Sequence, residues 1–291
     1  MIQLLFNVVA PVFIIVFIGW GWARLGRLYN TSLISSLVMT IGAPCLVFST
    51  LNTMDISPAN LGEIGLAALL VIVLTGLIVL VILRATRQEI RTFLPPLMFP
   101  NAGNMGLSLC LLAFGQPGLA LAIIAFSVYS LSTFSIGIWI YSGRLSPKQL
   151  LKQPIIYSVM ISVAVLLTGV DVPNWILKTT SLLGNFTIPL MLFTLGVSLS
   201  GFSVVKLKRA VLLSLLRLGI GFGVGILVSH LFGLTGIARG VIVLQSSMPV
   251  AVFNYLFAEN YDRNPRETAE LVVISTLFSL VTIPLILLFL N

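Results

Sequence analysis

The sequence predicts an all-α membrane protein of ten transmembrane helices, arranged as two inverted five-helix repeats. Three observations lead to this prediction: an apolar composition, ten apolar runs with basic residues in alternate gaps, and prolines that recur at about half the chain length. Of the 291 residues, 58% are hydrophobic and only 8% are charged. A soluble domain has charges at about a quarter of its positions, so a chain this apolar requires lipid as its solvent.

The composition also excludes several partners. The net charge of +8 does not indicate nucleic acid, because the basic residues lie in short gaps between apolar runs. Cys45 and Cys110 lie inside apolar runs, without a CxxC pair or a nearby His that would indicate a metal site. The first apolar run has no basic residue before it, so we interpret it as a retained helix. We expect no cofactor, no metal and no nucleic-acid partner.

Ten apolar runs have the length of a membrane-spanning helix, which is about 20 residues for about 30 Å of hydrocarbon. None alternates with the period of two that a membrane β-barrel requires. By residue number the predicted spans are 4–23, 33–53, 64–83, 93–114, 119–141, 154–170, 176–198, 210–230, 238–258 and 270–290.

The basic residues test the number of spans, because a wrong count would mix them between the two sides. With the N-terminus outside, all but three of the 16 basic residues lie in inner gaps. They are Arg24, Arg27, Arg84, Arg87, Arg91, Arg144, Lys148, Lys152, Lys206, Lys208, Arg209, Arg263 and Arg266. The pattern predicts a multi-pass protein of the cell inner membrane with both termini on the outer, periplasmic side.

Several features recur at a separation of 143 to 149 positions. The pairs are Pro11 with Pro154, Pro44 with Pro189, Pro100 with Pro249, and Ser132-Thr-Phe-Ser135 with Ser275-Thr-Leu-Phe-Ser279. Any single pair can be chance, since proline is common in membrane helices, but four pairs in the same order favour duplication. The halves are 1–145 and 146–291. Because five spans is an odd number, the second half is inverted, as in many secondary transporters.

The fourth and ninth spans are interrupted near the middle of the membrane. Pro100 lies about 13 Å in from Arg91, and Pro249 lies about 15 Å in from Arg239 on the other side. Proline removes a backbone donor, and Gly103 permits an unwound backbone. The polar groups released at both breaks require partners that lipid lacks, so the breaks must face protein or water.

The half-helices that restart after the breaks direct their N-termini inward, and their free N–H groups favour an anion. Neutral donors beside the breaks are therefore candidate substrate-binding residues: Asn101, Asn104, Gln245, Ser246 and Ser247. The alternative is that these side chains only cap the broken helices or hold helices together.

No carboxylate is predicted at the midplane, which disfavours a proton exchanger. The eight acidic residues, all in gaps or at span ends, are Asp55, Glu63, Glu89, Asp171, Glu259, Asp262, Glu267 and Glu270. Arg217 is the exception among the charges, about 12 Å from Arg209 along the eighth span. One possibility is that Arg217 binds an anionic substrate. The alternative is that its side chain extends to the inner membrane surface or bonds the backbone carbonyls of a broken helix. The glycines at 219, 221, 223 and 225 permit close packing within the chain or in a homodimer.

An enzyme is not expected, because the sequence lacks HExxH, a buried aspartate pair and a GxxxxGK phosphate loop. Five segments instead resemble the auxin efflux carrier family, which includes plant and bacterial carriers. They are Asn101-Ala-Gly-Asn-Met-Gly106, Leu195-Gly-Val-Ser-Leu199, Met248-Pro-Val-Ala251, Ala258-Glu-Asn-Tyr261, and Ser275-Thr-Leu-Phe-Ser279 with Thr282-Ile-Pro284.

The resemblance implies a ten-helix, NhaA/ASBT-like fold with a scaffold part and a transport part, in which broken helices 4 and 9 cross. It also implies a small organic anion as substrate, with its carboxylate held at the crossover near Asn101. Many bacterial members have an aromatic residue in place of Asn104 and a proline in place of Ser108, so this pocket is expected to be more polar. The alternatives are a sodium-coupled symporter of the bile-acid type, and a passive channel or membrane receptor.

Overall fold

The computed structural model describes residues 2–53, 58–144, 153–201 and 207–290, which are almost entirely helical. In chain order the α-helices are α1 (Ile2–Arg24), α2 (Thr31–Leu37), α3 (Ala43–Thr53), α4 (Pro58–Ala85), α5 (Ile90–Met98), α6 (Ser108–Ser132), α7 (Ile138–Ser142), α8 (Pro154–Thr168), α9 (Asn174–Asn185), α10 (Thr187–Ser200), α11 (Leu207–Leu231), α12 (Gly236–Ser246), α13 (Phe253–Asn260) and α14 (Pro265–Leu290). Short π-helical turns at Val38–Gly42, Ala102–Leu107 and Thr133–Gly137 join consecutive helices.

These helices are those of a multi-pass membrane protein, as predicted. The described part has six helical segments long and apolar enough to cross a membrane, among them Ala102–Ser142 with 41 residues. That segment is kinked at Gly115, whose φ of +66° and ψ of −159° interrupt the helix between the predicted fourth and fifth spans. Shorter apolar helices are Ala10–Arg24, Pro154–Thr168 and Gly236–Ser246. The count of ten spans and the inverted repeat stay predictions.

Some predicted features lie outside the described residues. They are the boundary between the halves at 145/146, Asp55, Lys148, Lys152 and Lys206. Among the acidic residues of the described part, Glu270 is buried, which the sequence did not predict. Because α14 begins at Pro265 rather than near 270, Glu270 lies within this helix and is 2% exposed.

The helices pack in two groups. In the first, α1 lies along α10, and α3 packs against α8 and α9. In the second, α11 packs against α4, α12 and α14, while α4 also contacts α5 and α6. Glycines permit the close approach of α1 and α10, since a Cβ at Gly196 would lie 1.9 Å from the backbone oxygen of Val16. The predicted functional segments at Pro100 and Pro249 both belong to the second group.

The four glycines after Arg217 divide between two faces of α11. A Cβ at Gly221 would lie 2.2 Å from the backbone oxygen of Ser246, and one at Gly225 would lie 2.1 Å from the Ser246 hydroxyl. A Cβ at Gly219 or Gly223 would meet no described atom within 4 Å. Packing within the chain therefore uses Gly221 and Gly225, which let α11 approach the end of α12.

At one end of the molecule, arginine side chains connect the ends of several helices. Arg209 donates to Oε1 of Gln88 and forms an ion pair of 3.0 Å with Glu267. The Nε atom of Arg263 donates to the backbone oxygen of Tyr141 at 3.2 Å. These contacts link α7, α11 and α14 to residues of the gaps that follow α4 and α13, where the sequence predicts the inner side.

Candidate functional site

The chain is interrupted at both predicted breaks. The first half-helix, α5, ends at Met98, and a π-helical turn restarts the chain at Ala102. The second, α12, ends at Ser246, and α13 restarts the chain at Phe253. Both interruptions contain the proline that the sequence predicts as the cause, Pro100 in the first and Pro249 in the second.

The two breaks meet and pair their backbones. Pro100 and Val250 form an isolated antiparallel bridge, and the Asn101 N–H donates to the Pro249 carbonyl at 2.8 Å. The Val250 N–H donates to Oγ of Ser275 at 3.0 Å. The first break thus supplies an N–H donor for a carbonyl that the second break leaves free. Unwound backbone requires such partners at membrane depth because lipid has none.

A narrow cavity of about 30 Å³, here called the central cavity, lies beside this crossing. The two predicted asparagines line it: Asn101, which is 3% exposed, and Asn104, which is 8% exposed. The Nδ2 atom of Asn101 has no hydrogen-bond partner in the part of the chain that the structure describes. Gly103 also lines the cavity, and a Cβ there would lie 2.9 Å from Cε of Met191. A buried amide without a partner is a candidate donor to a bound solute.

Besides Ser130 and Thr133, sequence reasoning missed a third polar residue that lines this cavity, Tyr129. Its side chain is 2% exposed and lines the central cavity from α6. No described residue is a hydrogen-bond partner of its hydroxyl. Tyr129 lies inside an apolar run with no adjacent breaker or charge, so no local signal separates it from packing aromatics. Its position beside Asn101 follows from helix packing.

The polar residues before the second break face away from this cavity. The Gln245 amide donates to the backbone oxygen of Ala122 at 3.3 Å. Its Oε1 lies against Gly106, so close that a Cβ added there would be 2.4 Å from it. The hydroxyls of Ser246 and Ser247 donate to the Val243 carbonyl at 3.0 and 2.6 Å. None of the three lines the central cavity. In this conformation all three contact backbone groups of the neighbouring chain segments.

Arg217 is held at the same break. Its side chain is 1% exposed, and Nη2 donates to the backbone oxygen of Ser246 at 2.9 Å. That oxygen lies at the C-terminus of α12, where the unpaired carbonyls of a helix carry partial negative charge. Of the partners considered from the sequence, the structure contains the carbonyl of a broken helix. Arg217 does not line the central cavity.

Two further cavities lie toward opposite ends of the α2–α3 and α9–α10 helices. We name them by the orientation that the sequence predicts. The first, the inner cavity, measures about 20 Å³ and is lined by Thr31, Ser35, Asn104, Thr194 and Ser198 among others. The second, the outer vestibule, measures about 510 Å³ and has mainly hydroxyl and amide groups as its polar lining: Ser49, Thr50, Thr53, Gln116, Ser181 and Asn185. Asn104 lines both the inner and the central cavity, so these two are adjacent.

Comparison with known proteins indicates a membrane transporter. A family model described as "Membrane transport protein" matches residues 4–147 and 140–287, which together cover nearly the whole chain. An uncharacterized transporter from Methanocaldococcus jannaschii is 26% identical over 298 positions, with 96% of each chain covered. Both descriptions are of transporters, which agrees with the resemblance found in the sequence. The chain therefore belongs to the membrane transport protein family of the auxin efflux carriers.

Proposed function

We propose that this protein is a secondary transporter of a small organic anion, a carboxylate, which binds at the crossing of the two broken helices. One observation carries the proposal. Two buried donors, Nδ2 of Asn101 and the Tyr129 hydroxyl, line the same cavity and have no hydrogen-bond partner among the described residues. Leaving a buried polar group unpaired costs about 1–3 kcal/mol, so a solute that accepts from both relieves a penalty that the protein otherwise carries.

The charges around the crossing favour a negative solute. The half-helix that restarts after Asn101 presents its first N–H groups toward the break, and these favour an anion. Arg217 places a buried cation at the second break. In this proposal Asn101, Asn104 and Tyr129 contact the carboxylate. Gln245, Ser246, Ser247 and Arg217 contribute to binding by holding the second break in position.

Alternating access follows from the two groups of helices. The outer vestibule is wide, at about 510 Å³, whereas the central and inner cavities measure about 30 and 20 Å³. Movement of the group that carries both breaks against the group built on α1 and α10 would open the central cavity to one end at a time. We propose that the α1 group is the scaffold part and that the crossing belongs to the transport part.

The best test is a thermal-shift screen of the purified protein against mono- and dicarboxylates, each with and without sodium. A ligand that binds only the folded state raises the unfolding midpoint. When the ligand concentration is a hundred times its dissociation constant, the free energy of unfolding rises by about 2.7 kcal/mol. We expect one class of carboxylate to raise the midpoint equally with and without sodium, and the uncharged amide of the same compound to have no effect. Equal stabilisation by the amide would contradict anion recognition.

The second candidate function is a sodium-coupled symporter of the bile-acid type. The observation that favours it is a pair of buried amide oxygens near the second break, Oε1 of Gln245 and Oδ1 of Asn254, neither of which has a partner among the described residues. Amide oxygens are ligands for hard cations. Stabilisation by a carboxylate only in the presence of sodium would select this function over the first.

We also propose ten spans in two inverted halves, 1–145 and 146–291, in the cell inner membrane with both termini outside. Labelling of single cysteines tests this topology in a chain whose Cys45 and Cys110 are replaced by alanine. A membrane-impermeant maleimide is expected to label Asp171→Cys in intact cells, and to label Arg27→Cys only after permeabilisation. The reverse pattern would contradict the orientation, and labelling of both in intact cells would contradict the number of spans between them. A homodimer through Gly219 and Gly223 is a further part of this proposal.

A further inference from the structure

An apolar groove of about 550 Å³ lies on the second group of helices, apart from the substrate site. It is formed by α4, α5 and the end of the α6–α7 segment, and its lining includes Val73, Leu77, Leu80, Leu94, Met98 and Ile140. None of these residues lines the central cavity, the inner cavity or the outer vestibule. Val73 and Leu77 are 44% and 54% exposed, so the groove opens at the surface of the protein.

The groove has the dimensions of a lipid chain within one leaflet. From Leu80 to Val73 it extends over seven residues of α4, or about 10 Å at 1.5 Å per residue. Half of the hydrocarbon thickness of a bilayer is about 15 Å. The groove therefore accommodates most of the part of an acyl chain that lies within one leaflet.

One end of the groove is cationic. Arg91, at the start of α5, is the charged residue of its lining, and its guanidinium lies beside Gly143 at the end of α7. A Cβ at Gly143 would lie 3.1 Å from Nη2 of Arg91, so glycine leaves room for the guanidinium. Arg91 makes no hydrogen bond or ion pair with any residue of the described ranges. Trp139, 45% exposed in the same lining, is of the type that anchors at the membrane interface.

We propose that this groove binds an acidic phospholipid, with the headgroup phosphate on Arg91 and one acyl chain between α4 and α5. The apolar length matches a chain, and the single cation at its interfacial end matches a phosphate. An extended protein segment would instead require polar partners along the groove for its backbone groups, and among the described residues the only charged one in the groove's lining is Arg91, at one end. Basic pockets between membrane helices on the side rich in Lys and Arg are typical sites of anionic headgroups, and Arg91 lies on that side.

The bound chain would contact the half-helix that leads to the substrate site. Met98 lines the groove and lies two residues before Pro100. Its side chain packs on Gly76, where an added Cβ would lie 2.9 Å from both Sδ and Cε of Met98. The lipid would therefore contact α5 two residues before the first break. This inference does not depend on the identity of the transported solute.

The test is native mass spectrometry of the purified full chain, titrated with phosphatidylglycerol and phosphatidylcholine of identical acyl chains. We expect phosphatidylglycerol to bind about fivefold more tightly, which is the effect of one arginine near an anionic headgroup. Arg91→Gln is expected to abolish this preference, whereas Arg91→Lys retains most of it. Leu77→Trp, which fills the groove, is expected to weaken the binding of both lipids.

Matched controls separate this site from general surface charge. Arg27→Gln removes an exposed arginine on the same side, and Leu69→Trp enlarges an exposed residue of α4 outside the groove. Both are expected to bind the two lipids as the unmodified chain does. Equal loss of the preference in Arg27→Gln and Arg91→Gln would overturn the proposal, as would unchanged binding in Leu77→Trp. Displacement of phosphatidylglycerol by millimolar inorganic phosphate would also overturn it, because the site would then recognise the anion alone.

Discussion

Asn101→Ala is expected to lower kcat/KM for transport strongly, by about 10- to 150-fold, while the protein stays folded. A hydrogen bond to a charged group contributes about 1.5–3 kcal/mol, and about 3 kcal/mol corresponds to a factor of about 150. The Nδ2 atom of Asn101 has no hydrogen-bond partner among the described residues, so its removal breaks no internal hydrogen bond there. Uptake of the carboxylate identified by thermal shift, measured in proteoliposomes, checks the expectation.

Two variants serve as comparisons. Asn174→Ala removes an exposed asparagine at the start of α9 and is expected to transport normally. Tyr129→Phe removes the second unpaired donor of the central cavity, and we expect a rise in KM of about tenfold. Normal uptake by Asn101→Ala, with the thermal midpoint unchanged, would show that Asn101 does not bind the substrate and would contradict the proposed site.

Gly221→Ala is expected to lower the free energy of unfolding by about 1–3 kcal/mol, the usual cost of overpacking a close contact. The added Cβ would lie 2.2 Å from the backbone oxygen of Ser246 and 2.8 Å from Nη1 of Arg217. Because the nearest atom belongs to the backbone, α11 must move away from α12. That movement weakens the hydrogen bond from Arg217 to Ser246 and displaces the second break. The thermal midpoint of the detergent-purified protein, together with transport, measures the effect.

The same helix provides its own control. Gly219→Ala and Gly223→Ala place the same methyl group where no described atom lies within 4 Å. Alanine favours a helix over glycine by up to about 1 kcal/mol, so the midpoints of both variants, measured on the detergent-solubilised monomer, are expected to stay level or rise. A similar loss of stability in all three variants would contradict the contact between Gly221 and Ser246. It would point instead to a general requirement for glycine in α11.

Much of the fold was predictable because it depends on local properties of the chain. Hydropathy sets which segments are stable as helices in lipid, and the all-helical membrane class follows from it. The two helix breaks were also predictable, since a proline removes its own N–H wherever it stands. The structure interrupts the chain at Pro100 and Pro249, whereas Pro11 and Pro284 lie inside continuous helices, so proline contributes to a break but does not suffice for one. The asparagines beside the first break were therefore the best candidates for the site.

Other residues show where sequence reasoning ends. Gln245 and Asn101 both lie next to a break and are both amides, yet Gln245 packs against Ala122 and Gly106, whereas Asn101 faces the central cavity. The rotation of each half-helix about its axis decides this difference. That rotation depends on contacts with helices distant in the chain, and no local pattern encodes it. Tyr129 enters the site for the same reason.

The sequence by itself determined that this chain is a helical membrane protein with two broken spans and a buried arginine, because composition, helix length and proline chemistry act locally. Only the tertiary structure decided what these parts contact. It paired the break at Pro100 with Val250, gave Arg217 the Ser246 carbonyl, and placed Arg91 at the end of a lipid-sized groove. In lipid the hydrophobic effect does not select one helix packing over another, so close packing of small residues and satisfaction of polar groups make that choice.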